Sequence, residues 1–321
     1  MGMIAGALAA LGRRGAEGFA LSILLGLAMP QFAAEARPLL PLTIFGFMTV
    51  VFLRADFSVI GGLIRRPVRL LAAMGWQLLA PVVLVLLTIR LIGSSTIDPG
   101  LLLGLAVLGA APPIMSSPAV AILYGFEPSL VIASVLGLTL LSPLTAPLLV
   151  DVLAGQAVPL DQAVLMQRLL IFVGGGIAAA MVLRRWLGTD RVRSLKAELD
   201  GFGVVMYFVF AVAAMDGVTA AAMSRPGLVA GFVGLAFGLA LAGLSLAILA
   251  LRGLDEPDRF MVGYGTAQRN MGLLIAALGA GVPSTTFLFF ALAQFPIYLM
   301  PWILKPVAAR IANRRAVGDG G

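Results

Sequence analysis

Two short polar stretches interrupt a chain that is otherwise oily. One reads Gly109-Ala-Ala-Pro-Pro-Ile-Met-Ser-Ser-Pro118, the other Gly263-Tyr-Gly-Thr-Ala-Gln-Arg-Asn-Met-Gly272. The first carries Ser116 and Ser117, the second Gln268, Arg269 and Asn270. Hydroxyls, amides and one guanidinium form a set that holds and orients ions, and an arginine fork meets a carboxylate or sulfonate through two parallel hydrogen bonds. It is a poor set for breaking bonds. The chain has no His and no Cys. The commonest general base and metal ligand are therefore missing, as are thiolate nucleophiles and disulfides. No paired acids fall within an apolar run, so no catalytic constellation assembles, and neither a cofactor nor a resident metal is called for.

The elements that must carry these groups are membrane helices. Of 321 residues, 60% are hydrophobic and 12% charged, with a mean hydropathy of +1.05. Soluble domains are roughly 45–50% apolar and about 25% charged, so lipid must solvate much of this surface. Apolar runs give ten candidate spans, near 17–33, 38–54, 67–92, 99–124, 128–154, 165–185, 203–222, 226–251, 257–281 and 283–313. Several open on proline, as at Arg66-Pro67, Asp98-Pro99, Arg225-Pro226 and Glu256-Pro257. A proline in the first turn costs nothing, because its missing N–H would have no partner there.

Alternating these spans from an inside N-terminus puts the basic clusters on one side. Arg13, Arg14, Arg54, Arg65, Arg66, Arg69, Arg184, Arg185, Arg191, Arg193 and Lys196 fall inside, with Arg252, Arg259, Lys305, Arg310, Arg314 and Arg315. Only Arg37, Arg90, Arg168 and Arg225 fall outside. The positive-inside rule thus predicts an all-α, multi-pass membrane protein of ten spans with both termini cytoplasmic. The net charge of +7 is explained by the bilayer and needs no nucleic acid. The N-terminus lacks a small-residue cleavage site and reads as retained.

Five spans followed by five is the arithmetic of an inverted repeat, because the second half inserts upside down. The two polar stretches fall in the fourth span of each half. Pro112, Pro113 and Pro118 each remove a helical hydrogen bond, and with Gly265 and Gly272 in the second stretch they are the expected break residues. Backbone freed at membrane depth is tolerated only inside protein or beside a watery cavity, so the expectation is two broken helices meeting at a transport site.

Arg269 lies about twelve residues into its span, near the midplane at 1.5 Å per residue. An arginine there is expensive and so a functional candidate, for a substrate anion or for coupling; the other reading is a structural arginine tying down carbonyls. Asp216, well inside the seventh span, is a candidate proton carrier or partner of Arg269, or an acid near the outer rim reached by water. Gln77, Ser116, Ser117, Gln268 and Asn270 are polar candidates whose plainer role is interhelical hydrogen bonding.

The chain resembles the bile acid:sodium symporter family over nearly its whole length. Carrying the resemblance are Phe45-Gly-Phe-Met48, Gly75-Trp-Gln-Leu-Leu-Ala-Pro81, the proline-led break before Ser116-Ser117, Leu141-Ser-Pro-Leu-Thr-Ala-Pro147 and Gln268-Arg-Asn-Met-Gly272. It implies a panel domain (17–54 and 165–222), a core domain (67–154 and 226–313) whose broken helices 4 and 9 cross, and an amphipathic substrate between them. The family's sodium sites depart here. The resemblance places Pro118 where an Asn is expected, Val131 and Val135 at hydroxyl positions, Gly265 at a Glu and Arg269 at a Gln; Gln77 and Ser117 remain. A hard cation needs several oxygens, preferably a carboxylate, and a fixed guanidinium repels it. The expected function is a sodium-independent carrier of a small organic anion, with Arg269 standing in for sodium's charge and a proton as a candidate coupling ion. The alternatives are a sodium-coupled symporter with relocated ion sites and a non-transporting receptor on the same scaffold. The oligomeric state is left open.

Overall fold

The computed structural model describes residues 24–55, 67–93, 96–155 and 160–318. Arg13, Arg14, Arg65, Arg66 and residues 17–23 of the 17–33 span lie outside these residues. The described chain is helical. Helix α1 (Pro30–Ala36) and α2 (Leu40–Arg54) are joined by a 3-10 turn over Arg37–Leu39. After α3 (Pro67–Ile92) come two half-helices, α4 (Pro99–Ala110) and α5 (Ser117–Leu123), then α6 (Ser129–Ala154) and α7 (Gln162–Leu187). A short α8 (Thr189–Ser194) leads to α9 (Lys196–Ala214), α10 (Val218–Ser224) and α11 (Pro226–Ala250). A second pair of halves, α12 (Glu256–Ala267) and α13 (Met271–Leu278), precedes α14 (Ser284–Ile303) and α15 (Lys305–Gly318).

Among the described residues, seven helical stretches are long and apolar enough to cross a bilayer, and the chain is a multi-pass integral membrane protein. The stretches over Pro99–Ala110 and Met271–Gly281 are apolar but short, because the fourth and ninth predicted spans are each cut in two. The expected separation of 17–33 from 38–54 is not where the sequence reading puts it. Helical structure runs on from Pro30 to Arg54, and the chain turns instead at Met29 (φ −126°, ψ 72°). Pro30, Pro38 and Pro41 all sit in first turns, where proline starts a helix instead of ending one.

The chain divides into two compact units: Met1–Ala55, Val164–Gly231 and Gly272–Leu292 form one, and Asp56–Ala163, Phe232–Met271 and Ala293–Gly321 the other. In the first, α2 and α9 run antiparallel. Arg54 pairs with Asp200 at one end and Arg37 with Asp216, at 2.9 Å, at the other. At 1.5 Å per residue these rungs stand about 25 Å apart, close to the thickness of a bilayer's hydrocarbon. Between them, Phe47 and Tyr207 meet edge to face at 4.6 Å. Arg168 donates to Ala277 O (3.1 Å) and Leu278 O (2.9 Å), closing the end of α13.

In the second unit, α3, α4 and α6 pack together, and α12 lies against α3 and α6. Two of these helices contain prolines beyond the first turn, Pro81 in α3 and Pro143 and Pro147 in α6. Each takes away the donor for the carbonyl four residues before it. The Ser142 hydroxyl donates to Thr139 O at 2.7 Å and so satisfies the carbonyl that Pro143 leaves. The corresponding carbonyl in α3 is that of Gln77.

Candidate functional site

The two breaks lie side by side. Pro112 pushes the residue before it toward extended backbone, and Ala111 adopts φ −62°, ψ 145° at the end of α4. Gln268 ends α12 at φ −106°, ψ 108°. Ile114 N–H donates to Gln268 O at 2.9 Å, and Asn270 N–H donates to Pro112 O at 2.8 Å. Pro113 thus stands opposite Arg269 in an antiparallel bridge. It occupies the non-hydrogen-bonded position of the ladder, where its missing N–H is not needed.

Arg269 fills the centre of this arrangement and is 3% exposed. Its Nη1 donates to Gln77 O (2.8 Å) and Gly265 O (3.2 Å), and its Nη2 to Ala111 O. Each of these carbonyls lacks a helical partner for a local reason. Gln77 O faces Pro81. Ala111 O lies past the end of α4, before two prolines. Gly265 O belongs to the last turn of α12, where carbonyls are always left over. One guanidinium therefore satisfies three helices. Among the described residues no carboxylate lies within ion-pairing distance of it. The carbonyls themselves and the partial negative charge at the C-terminal ends of α4 and α12 compensate the cation.

The amides fill the remaining space. Gln77 Nε2 donates to Val262 O (3.2 Å) and Gln268 Nε2 contacts Met300 Sδ (2.9 Å). Both side chains are fully buried, and Gln77 Oε1, Gln268 Oε1 and Arg269 Nε have no protein partner. Ser117 is buried and donates to Ile114 O at 2.9 Å. Ser116 and Asn270 are half-buried at the starts of α5 and α13. Pro112 and Pro113 lie in the break itself. Three of the expected break residues do not: Pro118 lies in the first turn of α5, Gly265 in the last turn of α12, and Gly272 in α13. Neither glycine has a positive φ. What Gly265 supplies is room, since a Cβ there would run into Gln77 Nε2. Room for the end of the Gln77 side chain, and not backbone freedom, is what a Cβ here would take away.

Asp216 belongs to the other unit. Its partner is Arg37 and not Arg269, and the two side chains are 19% and 40% exposed. Arg37 also stacks 4.0 Å over the ring of Phe287. A half-exposed pair contributes little, so Asp216→Asn should lower stability by no more than about 1 kcal/mol, read from thermal unfolding in detergent. A loss of 3 kcal/mol would show that the pair is more deeply coupled. Sequence reading missed Arg37 and Phe287, which lie 179 and 71 residues from Asp216 along the chain. It also passed over a usable signal: Gln77 precedes Pro81 by four residues, which marks its carbonyl as free.

The donor set at the breaks does not fit the sodium that the resemblance implies. Val131 and Val135 are buried and apolar, Gly265 offers no side chain, and three carbonyls are taken by a guanidinium. No cluster of three or more acids, His or Cys that could hold a metal occurs among the described residues. No curated protein matches the chain closely enough to count as a relative. A profile of the sodium bile acid symporter family matches residues 41–224, more than half of the sequence. This match spans α2 to α10 and includes the first of the two breaks, and by it the chain belongs to the sodium bile acid symporter family.

Proposed function

We propose that the protein is a secondary transporter of a small organic anion, working by alternating access without sodium. In this reading the chain makes ten crossings as two inverted five-helix repeats. The panel comprises 17–54 and 165–222, the core 67–154 and 226–313, and both termini are cytoplasmic in a bacterial inner membrane. The supporting observation is the buried Arg269 guanidinium on the carbonyls of Gln77, Gly265 and Ala111. Family membership supports transport, and the guanidinium supports independence from sodium. A mobile cation at paired helix breaks has to be bound and released in each cycle; a guanidinium on a covalent tether holds the same carbonyls permanently. Its Nη donors are already engaged, so Arg269 is a fixed counter-charge here and not the handle for the substrate. The formal positive charge it leaves at the breaks favours an anionic cargo.

The test is uptake of radiolabelled carboxylates and sulfonates into proteoliposomes, with sodium or choline outside at equal ionic strength. Uptake of at least one of them, at the same rate in both media, is expected. Uptake that needs sodium would return the protein to the coupled symporter mechanism, and binding without flux would make it a receptor. In parallel, the unfolding temperature of the purified protein should move by less than about 1 °C on replacing sodium with choline, since a ligand that does not bind the native state cannot stabilise it.

A further inference from the structure

Where α14 gives way to α15, exposed apolar surface runs directly into exposed basic surface. Leu304, Ala308 and Ile311 are buried. Their i, i+4, i+7 spacing fixes one face of α15 to its own unit, where it touches α12. The other face is open. Lys305, Arg310 and Arg314 are all exposed, and residues 293–318 contain no acid. Among the described residues, the ion pair on α15 is Arg314 with Glu256 at 3.6 Å, and Arg314 is still 74% exposed. Just before this basic face, Leu299, Trp302 and Ile303 are exposed, Trp302 by 58%. Lys305 Nζ stands 5.9 Å from the centre of the Trp302 ring.

A soluble anion would use only the charges. A lipid uses both halves of such a surface: acyl chains lie on the apolar side chains, the indole sits at head-group level, and the phosphate meets the cations. We infer that this face binds an anionic phospholipid, with its phosphate at Lys305 and Arg310 and its chains along Leu299 and Ile303. The site is independent of the transport reading, because it lies outside the breaks and uses none of their residues.

The test titrates the purified full-length protein in non-ionic detergent with dioleoyl phosphatidylglycerol, dioleoyl phosphatidylcholine or glycerol 3-phosphate, and follows the unfolding temperature. Phosphatidylglycerol should raise it by several degrees, and the other two should not. In K305Q/R310Q the midpoint of the phosphatidylglycerol titration should move to roughly 30-fold higher concentration, as two lost surface cations predict. K305R/R310K should keep the wild-type midpoint, which separates charge from any change in folding. R185Q/R191Q, at another exposed basic stretch, should also leave it unchanged. The site is overturned by the absence of a phosphatidylglycerol-specific rise, by an equal rise with phosphatidylcholine, by an unmoved midpoint in K305Q/R310Q, or by loss of the effect in R185Q/R191Q.

Discussion

Arg269→Gln is expected to lower the unfolding free energy by about 3–5 kcal/mol, the range for removing one partner from a buried charged network. Two things are lost together. The carbonyls of Gln77, Gly265 and Ala111 lose the guanidinium that accompanies all three, and each buried carbonyl left unsatisfied costs about 1–3 kcal/mol. The charge that offsets the C-terminal ends of α4 and α12 goes too. A glutamine amide has one NH2 group and cannot span three acceptors on three helices. Arg269→Lys should fall between: it keeps the charge but replaces a planar fork with a compact ammonium on a different stem. Thermal unfolding in detergent measures the stability. A Gln variant within about 1 kcal/mol of wild type would mean that the carbonyls find other donors and that the arginine is dispensable to the fold. Uptake should be lost in the Gln variant even at temperatures where it stays folded, because the breaks would no longer be held together.

Gly263→Leu should be the next most damaging change. A Cβ at this position would stand 2.9 Å from the backbone oxygen of Leu244 and 3.0 Å from Ala247 Cβ. Neither atom can swing aside, so α11 and α12 must separate. Overpacking of this kind costs about 1–3 kcal/mol and occasionally more, and leucine adds three further carbons to the collision. The effect is also positional. Gly263 lies two residues before Gly265 and six before Arg269 on the helix that delivers them, so pushing α12 outward draws the guanidinium off Gln77 O and Ala111 O. The control is Gly238 on α11, where nothing lies within 4 Å of a new Cβ. Gly238→Ala should be neutral or stabilising by up to about 1 kcal/mol, through helix propensity alone. Equal behaviour of the two glycines in unfolding experiments would dismiss close packing as the reason for Gly263.

Much of the architecture is written locally. Hydropathy alone declares a membrane protein. The prolines at 67, 99 and 226 open α3, α4 and α11 where expected, because a missing N–H is harmless only at a helix start. Pro112 and Pro113 announce the first break for the converse reason. The second break has no such local cause. Gln268 and Arg269 are good helix formers, and with Asn270 they leave the helix because their backbone pairs with residues 112–114, more than 150 positions away in the chain. The same separation hid the occupation of Arg269. Sequence shows a costly charge near mid-membrane, but not whether its fork faces a substrate or carbonyls. Asp216 posed the same problem, and a side chain on another helix, Arg37, answered it.

The sequence by itself thus determined the solvent, the helix starts and the proline break, since each depends on atoms within a turn of one another. The second break and the partners of its charges were decided by tertiary structure. A carbonyl orphaned in one helix can be satisfied only by a donor that folding brings from another.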